Sequence, residues 1–167
     1  MGPHFLVADE AARRFRARAF GALLTLLGVA PLSAQAAPLP VYRELTVAPA
    51  GRVALGESFA QLDRFTPVRD GLYELKPADG PAKSIMVAVD SSNVVRAIFI
   101  TYAPGRDYAA TRAAHARVLG TPEEIDEMEE GAVIKGAAWH DSTTYFAVVH
   151  RQFTDSLPDV VEFLRDR

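Results

Sequence analysis

Cysteine is absent from the 167 residues, and its absence excludes disulfides, thiolate metal sites and the lipid-attachment cysteine of an exported lipoprotein. An excess of basic residues is also missing: Lys+Arg number 18 against 21 Asp+Glu. Without clustered cations to neutralise phosphates, nucleic acid is not an expected partner. Signature motifs of catalysis are lacking too. No Gly-x-Ser-x-Gly elbow and no His-Glu-x-x-His pair occurs, so neither an α/β-hydrolase nucleophile nor that zinc site can be named.

What is present begins with a leader-like pattern. Arg13, Arg14, Arg16 and Arg18 precede the apolar stretch Ala19 to Ala30, which Pro31 ends, and Ala34-Gln35-Ala36 follows with small residues at its first and third positions. A basic region, an apolar core and a small-residue site form the pattern of a secretory signal peptide. Residues 1–36 are therefore expected to be a signal peptide cut after Ala36, with 1–12 an over-extended start. The product would be periplasmic or extracellular and keep no stable membrane anchor. The uncharged run Ala19 to Ala37 approaches the ~20 residues of a span, but Gly21, Gly28 and Pro31 interrupt it. The leader holds four of the 18 basic and two of the 21 acidic residues, leaving 14 against 19 and a net charge of −5 on the rest.

Residues 37–51 are expected as an extended N-terminal segment, with a strand over 41–47 and a turn at Pro49-Ala50-Gly51, and residues 52–167 as a single α+β domain. Leu55, Phe59, Leu62 and Phe65 recur at helical spacing, which predicts a helix that Thr66-Pro67 ends. Strands are expected over 72–75, 85–89 and 94–102, the last two forming a hairpin around Asp90-Ser91-Ser92-Asn93. An alanine-rich helix over 107–119 should be capped by Gly120. Thr121 and Glu124 have capping-box spacing, predicting a second, acidic helix reaching Gly131. A second hairpin, 133–139 with 144–151, would turn at Asp141-Ser142. Leu157, Val160, Val161 and Leu164 fall at i, i+3, i+4 and i+7, predicting a C-terminal helix that docks. Together these give an antiparallel sheet of two hairpins with helices packed on one face. A helix followed by a hairpin occurs twice, around Thr66-Pro67 and Thr121-Pro122, as a weak tandem repeat.

Alternation makes both faces of each hairpin apolar. One face of the second carries Val133, Ala137, Trp139, Phe146 and Val148, the other Ile134, Ala138, Tyr145, Ala147 and Val149. In the first, Ile85, Val87, Val89, Val94 and Ile98 oppose Met86, Ala88, Val95, Ala97 and Phe99. Antiparallel sheets with a wet face normally make that face polar, so something should cover it: the chain itself, an envelope protein, or a second copy in a homodimer. Ile134, His140, Tyr145 and Val149 mark the candidate interaction face.

Gly-Thr-Pro after a helix, an acidic spacer, a strand ending Trp139-His140-Asp141 and one beginning Thr143-Thr144 resemble the small exported proteins of the SmpA/OmlA outer-membrane assembly type and the β-lactamase-inhibitor-like fold. The resemblance spans roughly Arg52 to Arg151. It implies a helix pair on an antiparallel sheet and protein binding without catalysis, though the assembly lipoproteins' cysteine is absent here.

The chemical candidates each have a simpler structural reading. His140, Asp141 and Ser142 are consecutive and cannot point at one another in a relay. His115, His140 and His150 have no ligand spacing, and His115 suits the margin of a buried helical stripe with Tyr108 and Val118. Glu123, Glu124, Asp126, Glu127, Glu129 and Glu130 lack the glycine of a calcium loop and read as a solvated helix with Ile125 and Met128 turned inward. Trp139 reads as a core anchor. No catalytic, cofactor-binding or metal-binding residue is assigned. The expectation is a non-catalytic, cofactor-free protein-binding module of the bacterial cell envelope. The alternatives are a secreted inhibitor of a hydrolase such as a lysozyme or β-lactamase, with the loop Lys76 to Lys83 inserting into its cleft, and, third, a hydrolytic enzyme.

Overall fold

Short runs of β-branched and aromatic residues separated by Gly, Pro, Asp and Asn dominate the chain after residue 40, and strands form at nearly all of them. The computed structural model describes residues 40–60, 62–129, 132–153 and 159–167; the leader lies outside them. Strands β1 (Glu44–Val47) and β2 (Gly51–Ala54) form a hairpin. A 3-10 turn at Leu62–Arg64 leads into β3 (Thr66–Arg69), β4 (Leu72–Leu75), β5 (Ala82–Val89) and β6 (Val95–Tyr102). Helix α1 (Tyr108–Leu119) then crosses to β7 (Glu123–Glu129), β8 (Ala132–His140), β9 (Thr144–Phe153) and β10 (Asp159–Asp166). The eight-stranded sheet runs β3-β4-β5-β6-β10-β9-β8-β7 and is antiparallel throughout. Two four-stranded meanders therefore meet at the β6–β10 pair.

The α+β expectation is overturned: the chain is mostly β, with ten strands in two antiparallel sheets and a single α-helix among the described residues. The repeating unit is a meander of four strands rather than a helix plus a hairpin. Three helices of the sequence reading are not there. Between Leu55 and Phe65 only the 3-10 turn forms, because Gly56 takes φ +79° and the backbone of Gly56, Glu57 and Phe59 bonds to Asn93 and Val95. The acidic run is strand β7, paired residue for residue with β8 from Glu123↔Ala138 to Glu129↔Ala132. The C-terminal segment is β10, at the centre of the sheet, so its near-continuous apolar run is covered on one side by core and flanked by β6 and β9. A short apolar run satisfies helical and buried-strand templates alike; two waiting strand edges decided this one.

Helix α1 does form where expected. Asp107 accepts a hydrogen bond from Ala110 N at 3.0 Å, and Gly120, at φ +83°, ends the helix. Trp139 Nε1 donates to Gly120 O at 2.9 Å, tying the helix end to β8.

One face of the sheet is sealed. Ile85 and Val87 of β5, Ile98 and Ile100 of β6, Val160 and Leu164 of β10, Phe146 and Val148 of β9, and Trp139 of β8 are buried there. Over the first meander lie Leu45, Val47, Val53, Leu55, Phe59 and Phe65 from the segment preceding β3. Helix α1 packs on the second, with Tyr108 stacked on His150 and His115 edge-on to Phe146.

Two details of register differ from expectation. Ala88 pairs with Ala97 but Val89 with Val95, so Arg96 is an extra residue and Val95, rather than facing outward, enters the core at 1% exposure. The bulge lies just beyond the turn. In the second hairpin His140 pairs with Tyr145 rather than with Thr143, the partner that a two-residue turn at Asp141-Ser142 would give it. That slip of two leaves every side chain on its expected face, since strand faces alternate with period two.

Candidate functional site

The other face of the sheet has no element lying on it among the described residues. Register places there Met86 and Ala88 of β5, Ala97 and Phe99 of β6, and Val161, Phe163 and Arg165 of β10. Tyr145, Ala147 and Val149 of β9 and Ile134, Ala138 and His140 of β8 continue it, with Ile125 of β7 at the border. Ile134, His140, Tyr145 and Val149, singled out from the sequence, thus share this one face. Ile125 lies across Gly136, whose Cβ, if present, would meet the Ile125 side chain at 3.2 Å.

The middle of the face is aromatic. Phe99 and Phe163 stack with centroids 4.5 Å apart, and Tyr145 lies 6.0 Å from Phe163. The Arg165 guanidinium sits 5.1 Å from the Tyr145 ring centroid and 5.9 Å from that of Phe163. Burial pushes the Tyr145 phenol up; Arg165 pulls it back, while Glu123 and Glu127 push it up further. The sequence reading missed Phe163 and Arg165 because a helical Val160–Leu164 would scatter them. The period-two series Val161, Phe163, Arg165 was the available signal.

At one end of the sheet runs a chain of polar contacts. Arg96 pairs with Asp90 at 2.7 Å and Asp166 at 3.1 Å, and Asp166 pairs with Arg43 at 3.3 Å. Arg43 donates to Thr144 Oγ1 at 3.2 Å. Partial desolvation pushes the Asp141 carboxyl up, but hydrogen bonds from Thr143 N, Val41 N, Thr144 N and the Thr143 hydroxyl outweigh it and hold it at about 2. That carboxylate therefore organises the turn and fastens the start of the N-terminal segment. It does not point into a relay with His140, whose Nδ1 and Nε2 lie 3.2 Å from Arg167 Nη1 and 3.5 Å from Glu123 Oε2.

The sealed face holds the other polar cluster. Glu162, at the centre of β10, is 5% exposed. Its Oε1 lies 3.2 Å from His115 Nε2, and His115 Nδ1 lies 3.2 Å from the Tyr42 hydroxyl. Tyr102 also hydrogen-bonds Glu162, and burial, then the Glu162 charge, drives its phenol well above the usual range. These four residues join the N-terminal segment, α1, β6 and β10. Glu162, Tyr42 and Tyr102 carried no sequence signal, since nothing local brings them together.

The remaining candidates separate. His115 faces Glu162, His150 stacks on Tyr108, and His140 lies on the opposite face. Among the described residues no three His, Asp or Glu are grouped to hold a metal ion. Met128, expected inward, is 86% exposed, and Val118 is 59% exposed rather than part of the helix's buried stripe. Trp139 is buried in the core. An open cleft of about 410 Å³ lies beside Val41, Leu119, Glu123 and Trp139. A second, of about 470 Å³, lies under Arg112, which pairs with Glu124. No helix among the described residues is long and apolar enough to cross a membrane.

No protein-family model matches the chain, and no curated protein or solved structure matches it either.

Proposed function

We propose that this protein is an exported, non-catalytic module of the cell envelope that binds another protein through the uncovered face of its sheet. The observation carrying this reading is the aromatic and aliphatic centre of that face, Phe99, Phe163, Tyr145 and Val149, with nothing over it among the described residues. Contiguous apolar surface of this kind marks interaction sites in soluble proteins, and Tyr, Phe and Arg are the residue types enriched in interface cores. Export rests on the leader pattern of residues 13–36.

A photo-crosslinking residue placed at Val149, and separately at Arg117 on the exposed side of α1, tests it in the producing cell's envelope. A partner captured at position 149, lost on Phe163→Glu and then binding the purified wild type, supports the reading. Equal capture from both positions, or none from position 149, overturns it. Intact-mass analysis of the exported form should find Ala37 at its start; retention of Met1 would remove the basis for export.

A further inference from the structure

The open face is not uniformly apolar: one arginine stands in its aromatic centre. Among the described residues no carboxylate comes within ion-pair distance of Arg165, whereas Arg43, Arg52, Arg96 and Arg112 each have one. Arg165 Nε is shielded from solvent and has no hydrogen-bond partner among the described residues. Its guanidinium donates a long 3.4 Å hydrogen bond from Nη1 to Asp166 O. Tyr145 and Phe163 hold the group by their rings rather than by acceptors, which leaves its terminal Nη donors available to a carboxylate. Glu123 and Glu127, on edge strand β7, act on the Tyr145 phenol through space.

From this we infer that Arg165 is the anchor of the interface and that the partner presents a carboxylate flanked by apolar side chains. The inference rests on the sheet face being a protein-binding surface. A carboxylate laid on Arg165 gains charge-assisted hydrogen bonds at a site where aromatic neighbours exclude water, which is how interface hot spots of the Tyr and Arg type are built. Its apolar neighbours cover Phe99, Phe163 and Val149. A lysine or an uncharged amide in the same place leaves the guanidinium opposed or incompletely paired, so the face selects by charge as well as shape.

The test uses the full exported chain and two peptides identical except at the centre, phenylalanine and leucine flanking either aspartate or asparagine. Fluorescence anisotropy should show at least tenfold tighter binding of the aspartate peptide. Arg165→Gln should abolish that preference and leave the asparagine peptide unaffected, and Arg165→Lys should restore part of it; thermal unfolding of each variant confirms the fold. Equal binding of both peptides, with Phe163→Glu weakening both, overturns the carboxylate anchor while leaving the sheet face a binding surface. Binding of neither overturns the anchor, and the crosslinking experiment then judges the face by itself. Sedimentation showing a dimer that Phe163→Glu dissociates assigns the face to a second copy and overturns the inference.

Discussion

Glu162 Oε1 lies 3.2 Å from His115 Nε2, joining a central strand to the helix above it with a carboxylate side chain only 6% exposed. A charge at that depth is tolerated only with partners, and Tyr102 supplies another. His115→Ala should therefore cost about 2 kcal/mol, because it removes one of the buried carboxylate's two partners. Combined with Glu162→Leu, the two losses should fall short of additive by at least ~1 kcal/mol. A double-mutant cycle by urea denaturation measures this, and strict additivity would refute the coupling.

The same cluster sets the alkaline limit. Burial, first, and the Glu162 charge raise the Tyr102 phenol, and Tyr42 is raised for the same reasons in the same order. An unfolded tyrosine ionises near ~10, so above that pH the unfolded chain releases protons that the folded chain keeps. Stability is thus full below about pH 10 and falls as pH rises further. Tyrosinate absorbance should appear together with loss of the near-ultraviolet circular dichroism signal. Smooth titration of all five tyrosines in a folded chain would contradict it.

Acid acts through Asp141, whose carboxyl titrates at about 2 in the folded chain against ~3.9 when unfolded. The stabilisation is present above pH 4 and is lost as pH falls toward 2, where the carboxyl takes up its proton. Asp141→Ala, which removes acceptors for Val41, Thr143 and Thr144, should cost about 1–2 kcal/mol at neutral pH. Its stability should also vary less than wild type between pH 4 and 2. Thermal melts across that range provide the comparison.

Gly71 links β3 to β4 at φ +68°, and a Cβ there would stand 2.7 Å from Val89 O. Val89 N donates to Gly71 O at 2.7 Å, so the turn is held against β5 and cannot move aside freely. Gly71→Ala should lose at least ~2 kcal/mol from the left-handed conformation and the backbone clash together. A chemical-denaturation midpoint unchanged from wild type would count against it.

Edge strand β7 carries Glu123, Glu124, Asp126 and Glu127 along a row of main-chain groups that pairs only with β8. Charge on an edge strand discourages further strand pairing. Replacing Glu124, Asp126 and Glu127 with threonine should leave the fold intact and produce concentration-dependent association. Light scattering reads this directly, and a variant as monodisperse as wild type would argue against the role.

Local chemistry reached some elements and stopped at others. The helix over 108–119 was legible because Asp107, an alanine-rich run and Gly120 all act within one segment, and the hairpins because Asp90 and Asp141 close their turns with their own carboxylates. The faces of β8 and β9 followed from parity alone, which is why Ile134, His140, Tyr145 and Val149 came out together despite a register wrong by two. The acidic β7 and the apolar β10 were not legible. Their residue patterns fit a helix equally well, and the partners that made them strands are far away in the chain: Ile98 opposite Leu164, for instance.

The sequence by itself determined the absence of disulfides, the turns, the helix over 108–119 and the two apolar faces of each strand pair, since each depends on residues a few positions apart. Only the tertiary structure decided that two meanders join at β6 and β10, that Glu162 is buried against His115, and that Phe163 and Arg165 enter the open face. Those outcomes come from pairing strand edges about sixty residues apart, and a hydrogen-bonded edge is recruited by geometry that no local pattern encodes.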